Sequence, residues 1–267
     1  MLKDKKIFIT GGASGIGKAC AKVCVNEGAV VTIMDIAPDE VLEQVKAEIG
    51  GEVYTIRGDV TNYEDVEKAV NFACEKMGGL TGAVNVAGSQ RLGRIVDMSP
   101  EDFDWTVKLC MYGVFYSIKA EAKILMETGG SIVNISSLNS QIPGEGFGAY
   151  NTAKAGVDNL TRTAAVELAP YNVRVNAIRP GFTATDAIKM MAQIPEYNQL
   201  ALDRIPMERF VEPEEIGNMA AFLLTDRVQA ATGALFAVDG GIDVSGYPKV
   251  YPILEGFMAA MAAAPQE

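Results

Sequence analysis

Thr10-Gly11-Gly12-Ala13-Ser14-Gly15-Ile16-Gly17 stands between the apolar run Lys6–Thr10 and a helical pattern that extends from Gly15 to about Glu27. Glycines in such a turn let the backbone bend tightly and approach a pyrophosphate. The free N–H groups and the dipole of the following helix favour an anion at its N-terminus. The spacing is G-x-x-x-G-x-G rather than the common G-x-G-x-x-G. A turn that needs glycine only for positive φ angles is therefore the alternative interpretation.

The alternation of short apolar runs and helical patterns continues along the chain. Strands are predicted at Lys6–Thr10, Val30–Met34, Val53–Arg57, Ala83–Val86, Ser131–Ile135, Val173–Ile178 and Leu235–Val238. Helices are predicted at about Gly15–Glu27, Asp39–Ile49, Tyr63–Lys76, Pro100–Met126 and Ala149–Leu168. Short Val- and Ile-rich strands separated by helices are typical of a parallel sheet covered on both faces. With no repeat or linker dividing it, the chain is predicted to form a single Rossmann-type domain, a doubly wound α/β sheet of about seven strands.

Composition argues against several classes of function. The chain has 267 residues, 49% of them apolar, which is enough to bury one substantial core. A net charge of −11 argues against nucleic acid or an anionic membrane surface as a partner. No run of 18 apolar residues exists, and no signal-peptide pattern precedes the first strand. We therefore expect a cytoplasmic protein that does not contact a membrane.

The chain contains no histidine, and its cysteines, Cys20, Cys24, Cys74 and Cys110, show no C-x-x-C spacing. A zinc site is therefore improbable and a histidine-based triad impossible. No metal is expected, and the thiols are predicted to be reduced packing residues.

Tyr150 and Lys154 lie four residues apart in a predicted helix, thirteen residues after Ser137. That spacing places both side chains on one helix face. A phenol with a pKa of about 10 is a poor proton carrier at neutral pH. A neighbouring ammonium favours the phenolate and lowers that pKa toward the range where acid–base catalysis is efficient. Most helical pairs of this kind are solvated surface, so the neighbouring motifs must decide whether this one is catalytic.

Asp35 ends the second predicted strand, 18 residues after Gly17. A carboxylate there can accept hydrogen bonds from the adenosine ribose hydroxyls and would repel a 2′-phosphate. The loop between Gly11 and Gly17 has no Arg or Lys, and Ile36 follows Asp35. These features predict NAD rather than NADP. The alternative is that Asp35 is a simple cap or turn residue.

Taken together, the motifs resemble the short-chain dehydrogenase/reductase family. The resemblance extends from Ile7 to about Gly241 and is specific because the motifs occur jointly in order. They are Thr10–Gly17, Asp59-Val60, Asn85-Val86-Ala87-Gly88, Ser137, Tyr150, Lys154, Pro180-Gly181, Thr183, Thr185, Thr232-Gly233 and Val238-Asp239-Gly240-Gly241.

The resemblance implies an NAD-dependent oxidoreductase that interconverts a secondary alcohol and a ketone. Tyr150 would exchange the proton, Lys154 would bind the nicotinamide ribose, and Ser137 would hold the substrate oxygen. The residues implied to bind the cofactor are Gly11, Ser14, Gly15, Ile16, Gly17, Asp35, Ile36, Asp59, Val60, Asn85, Val86, Ala87, Gly88, Tyr150, Lys154, Pro180, Gly181, Thr183 and Thr185. Ser137, Asn139 and Tyr150 are expected at the substrate, and a homotetramer or homodimer is implied.

Two positions depart from the family pattern. Val86 replaces the second asparagine of the family's N-N-A-G motif, and Cys110 stands three residues before Gly113, where the family has a catalytic asparagine. That asparagine completes a proton relay through a water beside the lysine, and a thiol is a weak substitute. Our hypothesis is that the relay survives in altered form through the backbone carbonyl of Cys110, at some cost in rate. The departure also supports the alternative of a non-catalytic NAD-binding regulator.

Substrate choice is expected to depend on residues near 89–94, 138–147 and 187–210. The last segment is apolar and Met-rich and predicts a lid, although its side chains could instead pack on the body of the protein. Arg91 and Arg94 could meet a substrate carboxylate. The predicted substrate is a hydroxysteroid or bile acid, with a 3-oxoacyl-type reductase and a small alicyclic or polyol dehydrogenase as alternatives. Residues 242–267 exceed what the fold needs and are expected at a subunit interface.

Overall fold

The computed structural model describes residues 1–245, in which one parallel sheet is covered by helices on both faces. The strands are β1 Lys6–Thr10, β2 Val30–Asp35, β3 Val53–Arg57, β4 Gly82–Asn85, β5 Gly130–Ile135, β6 Val173–Pro180 and β7 Leu235–Val238. The helices are α1 Gly15–Asn26, α2 Asp39–Ile49, α3 Tyr63–Met77, α4 Pro100–Val107, α5 Gly113–Thr128, α6 Gly148–Leu168, α7 Asp186–Met191, α8 Pro195–Arg204 and α9 Pro213–Leu224. The predicted doubly wound α/β fold with seven strands is confirmed.

The strand order β3-β2-β1-β4-β5-β6-β7 reverses direction between β1 and β4. Thr10 at the end of β1 lies opposite Met34 of β2 on one side and Asn85 of β4 on the other. In open α/β sheets a crevice forms at the carboxyl ends of the strands where the order reverses. The topology therefore places a binding crevice beside Thr10.

Apolar side chains form two core clusters that pack on the sheet. One cluster includes Cys20 and Cys24 of α1, where burial raises the pKa of the Cys24 thiol to about 12 and raises that of Cys20 as well. Thiols held in this protonated form are unreactive. The four cysteines are free, and Cys74 alone among them is only partly buried. The structure thus has packing thiols of the kind that the sequence indicates.

Helix α9 was missed by the sequence analysis, which predicted no element over Pro213–Leu224. The helix begins with proline in its first turn and a capping box formed by Glu212 and Glu215. Its buried residues include Ile216, Ala220 and Leu223, at helical spacing. The signal was present in the sequence as a capping box followed by an apolar stripe.

The predicted long helix Pro100–Met126 is divided in two. A π-helical turn, Lys108–Tyr112, separates α4 from α5 and contains Cys110. Strand β4 ends at Asn85, one residue before its predicted end, because Val86 already belongs to the loop at the crevice. No helix in residues 1–245 is long and apolar enough to cross a membrane. The predicted interface role of the C-terminal extension lies mostly outside the described residues, which include only its first turn, Ile242–Val244.

Candidate active site

A cavity of about 1160 Å³ lies along the carboxyl ends of the strands. It brings together almost all of the residues that the sequence analysis selected. Those lining it are Gly11, Ser14, Gly15, Ile16, Gly17, Asp35, Ile36, Asp59, Val60, Val86, Ala87, Gly88, Ser137, Asn139, Tyr150, Lys154, Pro180, Gly181, Thr183 and Thr185. Asn85 does not line the cavity: its side chain is buried beneath it and binds Glu121 and Asn134.

The glycine loop leaves a cradle that fits a pyrophosphate. Gly11 has φ +69°, and a Cβ there would come within 2.8 Å of the backbone of Ala87. Ser14 caps α1 without a side-chain hydrogen bond, and the first turn of α1 contains no acidic residue. Within residues 1–245, the first three N–H groups of α1 donate to no protein acceptor. A helix N-terminus in this state can receive an anion.

Asp35 links the glycine loop to the end of β2. Its two carboxylate oxygens accept hydrogen bonds from the backbone N–H groups of Ala13 and Ala37, each at 3.0 Å. Both oxygens keep a further lone pair, so the group can still accept from ribose hydroxyls. Arg57, its register partner in β3, donates to the Ile36 carbonyl and does not line the cavity. At this end of the glycine loop, the cavity wall therefore presents the negative charge of Asp35 and not the positive charge of Arg57.

Thr10 fixes the opposite wall of the crevice. Its hydroxyl oxygen accepts hydrogen bonds from the backbone N–H groups of Val86 at 3.1 Å and Ala87 at 3.4 Å. Farther along the cavity, Gly181 lies so close to Asp239 that a Cβ at the glycine would be 2.7 Å from the aspartate Cα. The Thr183 hydroxyl donates to the Gly181 carbonyl at 3.1 Å. Threonine hydroxyls that are hydrogen-bonded to the backbone thus hold both walls close to the cavity.

Helix α6 carries the tyrosine–lysine pair. The Lys154 ammonium is buried, with 3% of the residue exposed, and it donates to the Ile135 carbonyl at 2.7 Å. It lies 5.6 Å from the centre of the Tyr150 ring. Tyr150 is only partly buried and lines the cavity. The pair is therefore an interior one, which excludes the interpretation as ordinary solvated surface.

Ser137 is joined to a chain of amide side chains, because its hydroxyl donates to Asn139 Oδ1 at 3.4 Å. Its hydroxyl oxygen accepts from the Asn139 backbone N–H at 3.1 Å. The Asn139 side-chain amide donates to Asn151 Oδ1 at 3.0 Å, and the Asn151 amide donates to the Gly144 carbonyl at 3.1 Å. Asn151 follows Tyr150 in α6, so the chain connects Ser137 to the helix of the tyrosine. The sequence analysis did not select Asn151.

Cys110 lies near the lysine but its thiol faces another group. The Sγ atom is fully buried and donates to the Ser89 carbonyl at 3.0 Å. A Cβ placed on Gly88 would be 3.4 Å from this sulfur and 3.7 Å from Lys154 Nζ, so both side chains lie next to Gly88. The thiol sits in the π-helical turn, an irregularity that is frequent at functional sites.

The apolar segment 187–210 contributes part of one cavity wall. Ile188, Met191 and Tyr197 line the cavity, whereas Met190 and Ile194 are exposed and do not. Phe182 packs edge-on against Tyr197, with ring centres 6.4 Å apart. The segment is therefore divided between residues that face the cavity and residues that face solvent.

Arg91 and Arg94, proposed from sequence as partners for a carboxylate, do not line the cavity. Arg91 pairs with Asp102 and stacks on Trp105, and Arg94 pairs with Glu145 at 3.0 Å. Arg204, which the sequence analysis did not select, does line it. Arg204 is the last residue of α8, and it reaches the cavity because this helix packs near the carboxyl ends of the strands.

Curated relatives of this chain are dehydrogenases and reductases. A 3-oxoacyl-[acyl-carrier-protein] reductase of Thermotoga maritima is 37% identical over 90% of this chain and 98% of its own length. A trans-4-hydroxycyclohexanecarboxylate dehydrogenase of Sinomonas cyclohexanicum is 36% identical over 89% of this chain and 92% of its own length.

Solved structures share the fold over most of this chain. A short-chain type dehydrogenase/reductase from Mycobacterium ulcerans has a TM-score of 0.89 and 34% identity and covers 99% of both chains. A 3-ketoacyl-(acyl-carrier-protein) reductase from Brucella melitensis, complexed with NADH, has a TM-score of 0.84 and 29% identity over 91% of this chain and 100% of its own. A putative 2-deoxy-D-gluconate 3-dehydrogenase from Agrobacterium tumefaciens, with bound NADP, has a TM-score of 0.83 and 32% identity over 90% and 97%.

The family model described as enoyl-(acyl carrier protein) reductase matches residues 11–243, which include the glycine loop, Ser137, Tyr150 and Lys154. Together with the extent of the likeness to the Mycobacterium ulcerans protein, this match means that the chain belongs to the short-chain dehydrogenase/reductase family.

Proposed function

We propose that the protein is an NAD-dependent oxidoreductase that interconverts a ring-borne secondary alcohol and its ketone. The observation that carries the proposal is the buried Lys154 ammonium 5.6 Å from the Tyr150 ring, at a cavity that Ser137 also lines. Secondary alcohol–ketone chemistry is the activity common to the named relatives.

Proton transfer is assigned to Tyr150. During oxidation its oxygen receives the proton of the substrate hydroxyl, and during reduction it returns that proton to the ketone oxygen. The Lys154 ammonium stabilises the negative charge that the tyrosine oxygen carries before it receives this proton and after it has returned it, since a charge acts strongly in a site with little water. Ser137, oriented by Asn139, donates a hydrogen bond to the same substrate oxygen. This contact holds the carbon that bears the oxygen in position for hydride transfer. A nicotinamide cofactor bound beside these residues would supply the hydride chemistry.

NAD preference is assigned to Asp35. Its carboxylate has the lone pairs to accept from both ribose hydroxyls, and its charge repels a 2′-phosphate. The relatives of known structure include one with NADH and one with NADP, so the proposed preference rests on Asp35 of this chain and not on the relatives. The remaining cofactor contacts are proposed for the cavity residues named above.

The substrate class follows from the cavity wall. Ile188, Met191 and Phe182 offer apolar surface to a saturated ring, and Arg204 offers a cation to an acidic substituent. A cyclohexanol with a carboxylate, the kind of substrate named for the Sinomonas relative, has both features. A bile acid is a larger molecule with both features, whereas a hydroxysteroid without an acidic side chain has only the ring alcohol. The 3-oxoacyl substrate named for the Thermotoga relative is the second candidate.

We also propose that the protein is a cytoplasmic homotetramer or homodimer assembled through the long helices that carry Trp105 and Tyr150, which are α4 with α5 and α6. Phe103, Trp105, Tyr112 and Phe115 of α4, α5 and the turn between them are exposed in the single chain. A patch of large apolar residues is typical of a protein interface. Light scattering at several concentrations tests this proposal, and a monomer at every concentration would refute it.

A substrate screen tests the enzymatic proposal. Protein is mixed with NAD or NADP and with neutral cyclohexanols, hydroxycyclohexanecarboxylates and hydroxysteroids, and absorbance at 340 nm is followed. The reverse reaction is run with NADH and acetoacetyl-CoA. Turnover of a carboxylated cyclohexanol with NAD is expected. Tight NAD binding without turnover of any alcohol or ketone would instead favour the non-catalytic regulator.

A further inference from the structure

A glutamate lies in the interior of the protein, directly beneath the candidate active site. Glu121 of α5 is completely buried, and its Oε2 accepts from the Asn85 side-chain amide at 3.1 Å. The same Asn85 amide donates to Asn134 Oδ1 at 3.0 Å, and the Asn134 amide donates to the Thr161 hydroxyl at 2.9 Å. These four residues connect α5, β4, β5 and α6.

Two oxygens of this network have no hydrogen-bond partner, namely Glu121 Oε1 and Asn85 Oδ1. Both are acceptors if the glutamate is ionised, and leaving two acceptors buried and unpaired is unfavourable. A proton on Oε1 would turn it into a donor. A carboxylic acid and an amide can then pair twice, the acid donating to the amide oxygen and the amide donating to the acid carbonyl. One proton would therefore satisfy both atoms.

No cation is bonded to Glu121 within the described residues. On α6, Lys154 donates to the Ile135 carbonyl, and Asp158 is paired with Arg179. On α3, Glu67 is engaged by Lys123, which projects from the outer side of α5. Burial raises the pKa of the Glu121 carboxyl to about 8, and the Asn85 hydrogen bond only partly opposes this rise.

We propose that Glu121 is a neutral carboxylic acid at physiological pH whose O–H donates to Asn85 Oδ1, and that it is a positioning residue for the cofactor wall. Asn85 ends β4, and the next three residues, Val86, Ala87 and Gly88, line the cavity. Ionisation of Glu121 removes the O–H donor to Asn85 Oδ1. The loss of this hydrogen bond weakens the anchoring of Asn85 at the end of β4, next to the first residue of the wall. The inference rests on the proposed function only in calling this wall a cofactor site.

The proton itself can be observed directly. In protein labelled with ¹³C at the glutamate carboxyls, one carboxyl signal is expected to remain at the protonated position at pH 7 and to titrate near pH 8. It is absent from Glu121→Gln and retained in Glu127→Gln, a control at an exposed position of the same helix. If every glutamate carboxyl of the wild type is ionised at pH 7, the proposal is overturned.

Stability and cofactor binding supply the functional readout. Because the folded-state pKa is raised, the stabilising effect of the proton is complete below about pH 4.5 and is lost as pH rises to about 8. The unfolding constant of the wild type relative to Glu121→Gln should therefore increase by up to about tenfold per pH unit in this interval. As pH rises past 8, the Kd of the wild type for NADH should increase about threefold to tenfold relative to that of Glu121→Gln.

Identical pH dependence of the NADH Kd in the wild type and Glu121→Gln would overturn the positioning role. If Glu121→Gln fails to fold, two measurements on the wild type still show whether Glu121 is protonated. They are the ¹³C carboxyl signal and the unfolding constant determined above and below pH 8. None of these measurements requires turnover. A protein that binds NADH without dehydrogenase activity would refute the proposed function and leave this inference standing.

Discussion

The Asn139 side-chain amide donates to Asn151 Oδ1 at 3.0 Å and thereby connects the segment of Ser137 to the helix of Tyr150. We expect this contact to set the separation between the Ser137 hydroxyl, proposed to hold the substrate oxygen, and the Tyr150 phenol, proposed to exchange its proton. Catalysis depends on such spacing because a misplaced reacting group loses its orientation. We therefore expect the two asparagines to act on the reaction through Ser137.

Asn151→Ala should lower kcat by about tenfold. The substitution removes a hydrogen bond that keeps Ser137 oriented, and the free energy of one such bond corresponds to roughly this factor in rate. The Kd for NADH should stay near the wild-type value because Asn151 does not line the cavity. Steady-state kinetics and NADH fluorescence titration measure the two quantities. Asn159→Ala, at an exposed position of the same helix, is the control. Equal kcat in both variants would show that the amide chain does not orient Ser137.

Tyr150→Phe removes the proton-exchanging oxygen and leaves the ring that Lys154 approaches. We expect kcat to fall by about 10²- to 10⁴-fold, the usual contribution of a positioned acid or base. NADH affinity and thermal stability should change little because the buried Lys154 keeps its bond to Ile135. Tyr171→Phe, at an exposed tyrosine, should behave as the wild type. Residual turnover within threefold of the wild type in Tyr150→Phe would refute the assignment.

The sequence predicted the fold well because its signals were local. Each signal lies within a short stretch of sequence: the glycine loop, the Val- and Ile-rich strands, and the four-residue spacing of Tyr150 and Lys154. Of the residues that were missed, Arg204 and Glu121 depend on contacts between distant segments. Asn151 depends on hydrogen bonds to the loop that precedes α6, and no spacing reveals either kind of contact. Asn85 was misplaced for a related reason. It belongs to the motif Asn85–Gly88, but its side chain points below the strand end, while the next three residues line the cavity.

Asp35→Ser should shift cofactor preference toward NADP. The substitution removes the charge that repels a 2′-phosphate, and a serine hydroxyl can still accept from the Ala37 N–H two residues ahead. We expect the ratio of Kd values for NADPH and NADH to fall by at least about tenfold, the effect of about 1.4 kcal/mol. Asp39→Ser, at an exposed position in α2, should leave the ratio unchanged. An unchanged ratio in Asp35→Ser would mean that Asp35 only stabilises the turn and does not influence cofactor choice.

Cys110→Asn tests whether the altered relay limits turnover. The amide that it introduces would lie beside Gly88 and Lys154, at a place where the thiol now donates to the Ser89 carbonyl. We expect a higher kcat and a shifted pH profile if the native route through the backbone is slower. Cys110→Ser keeps a donor for Ser89 and should remain near the wild type, which controls for loss of the thiol. Unchanged turnover and pH profile in Cys110→Asn would mean that this side chain does not influence the relay.

Arg204→Leu tests the charge assigned to the substrate. A cation at the cavity wall binds a carboxylate equally before and during the reaction, so its removal should raise KM and leave kcat nearly unchanged. We expect KM for a hydroxycyclohexanecarboxylate to rise by about tenfold or more, since a hydrogen bond to a charged group contributes about 1.5–3 kcal/mol. KM for an uncharged cyclohexanol should be unaffected. Lys189→Leu, at an exposed position of α7 outside the cavity, controls for the change in net charge. An equal loss of affinity for charged and uncharged alcohols in Arg204→Leu would mean that the arginine supports the lid rather than recognising an anion.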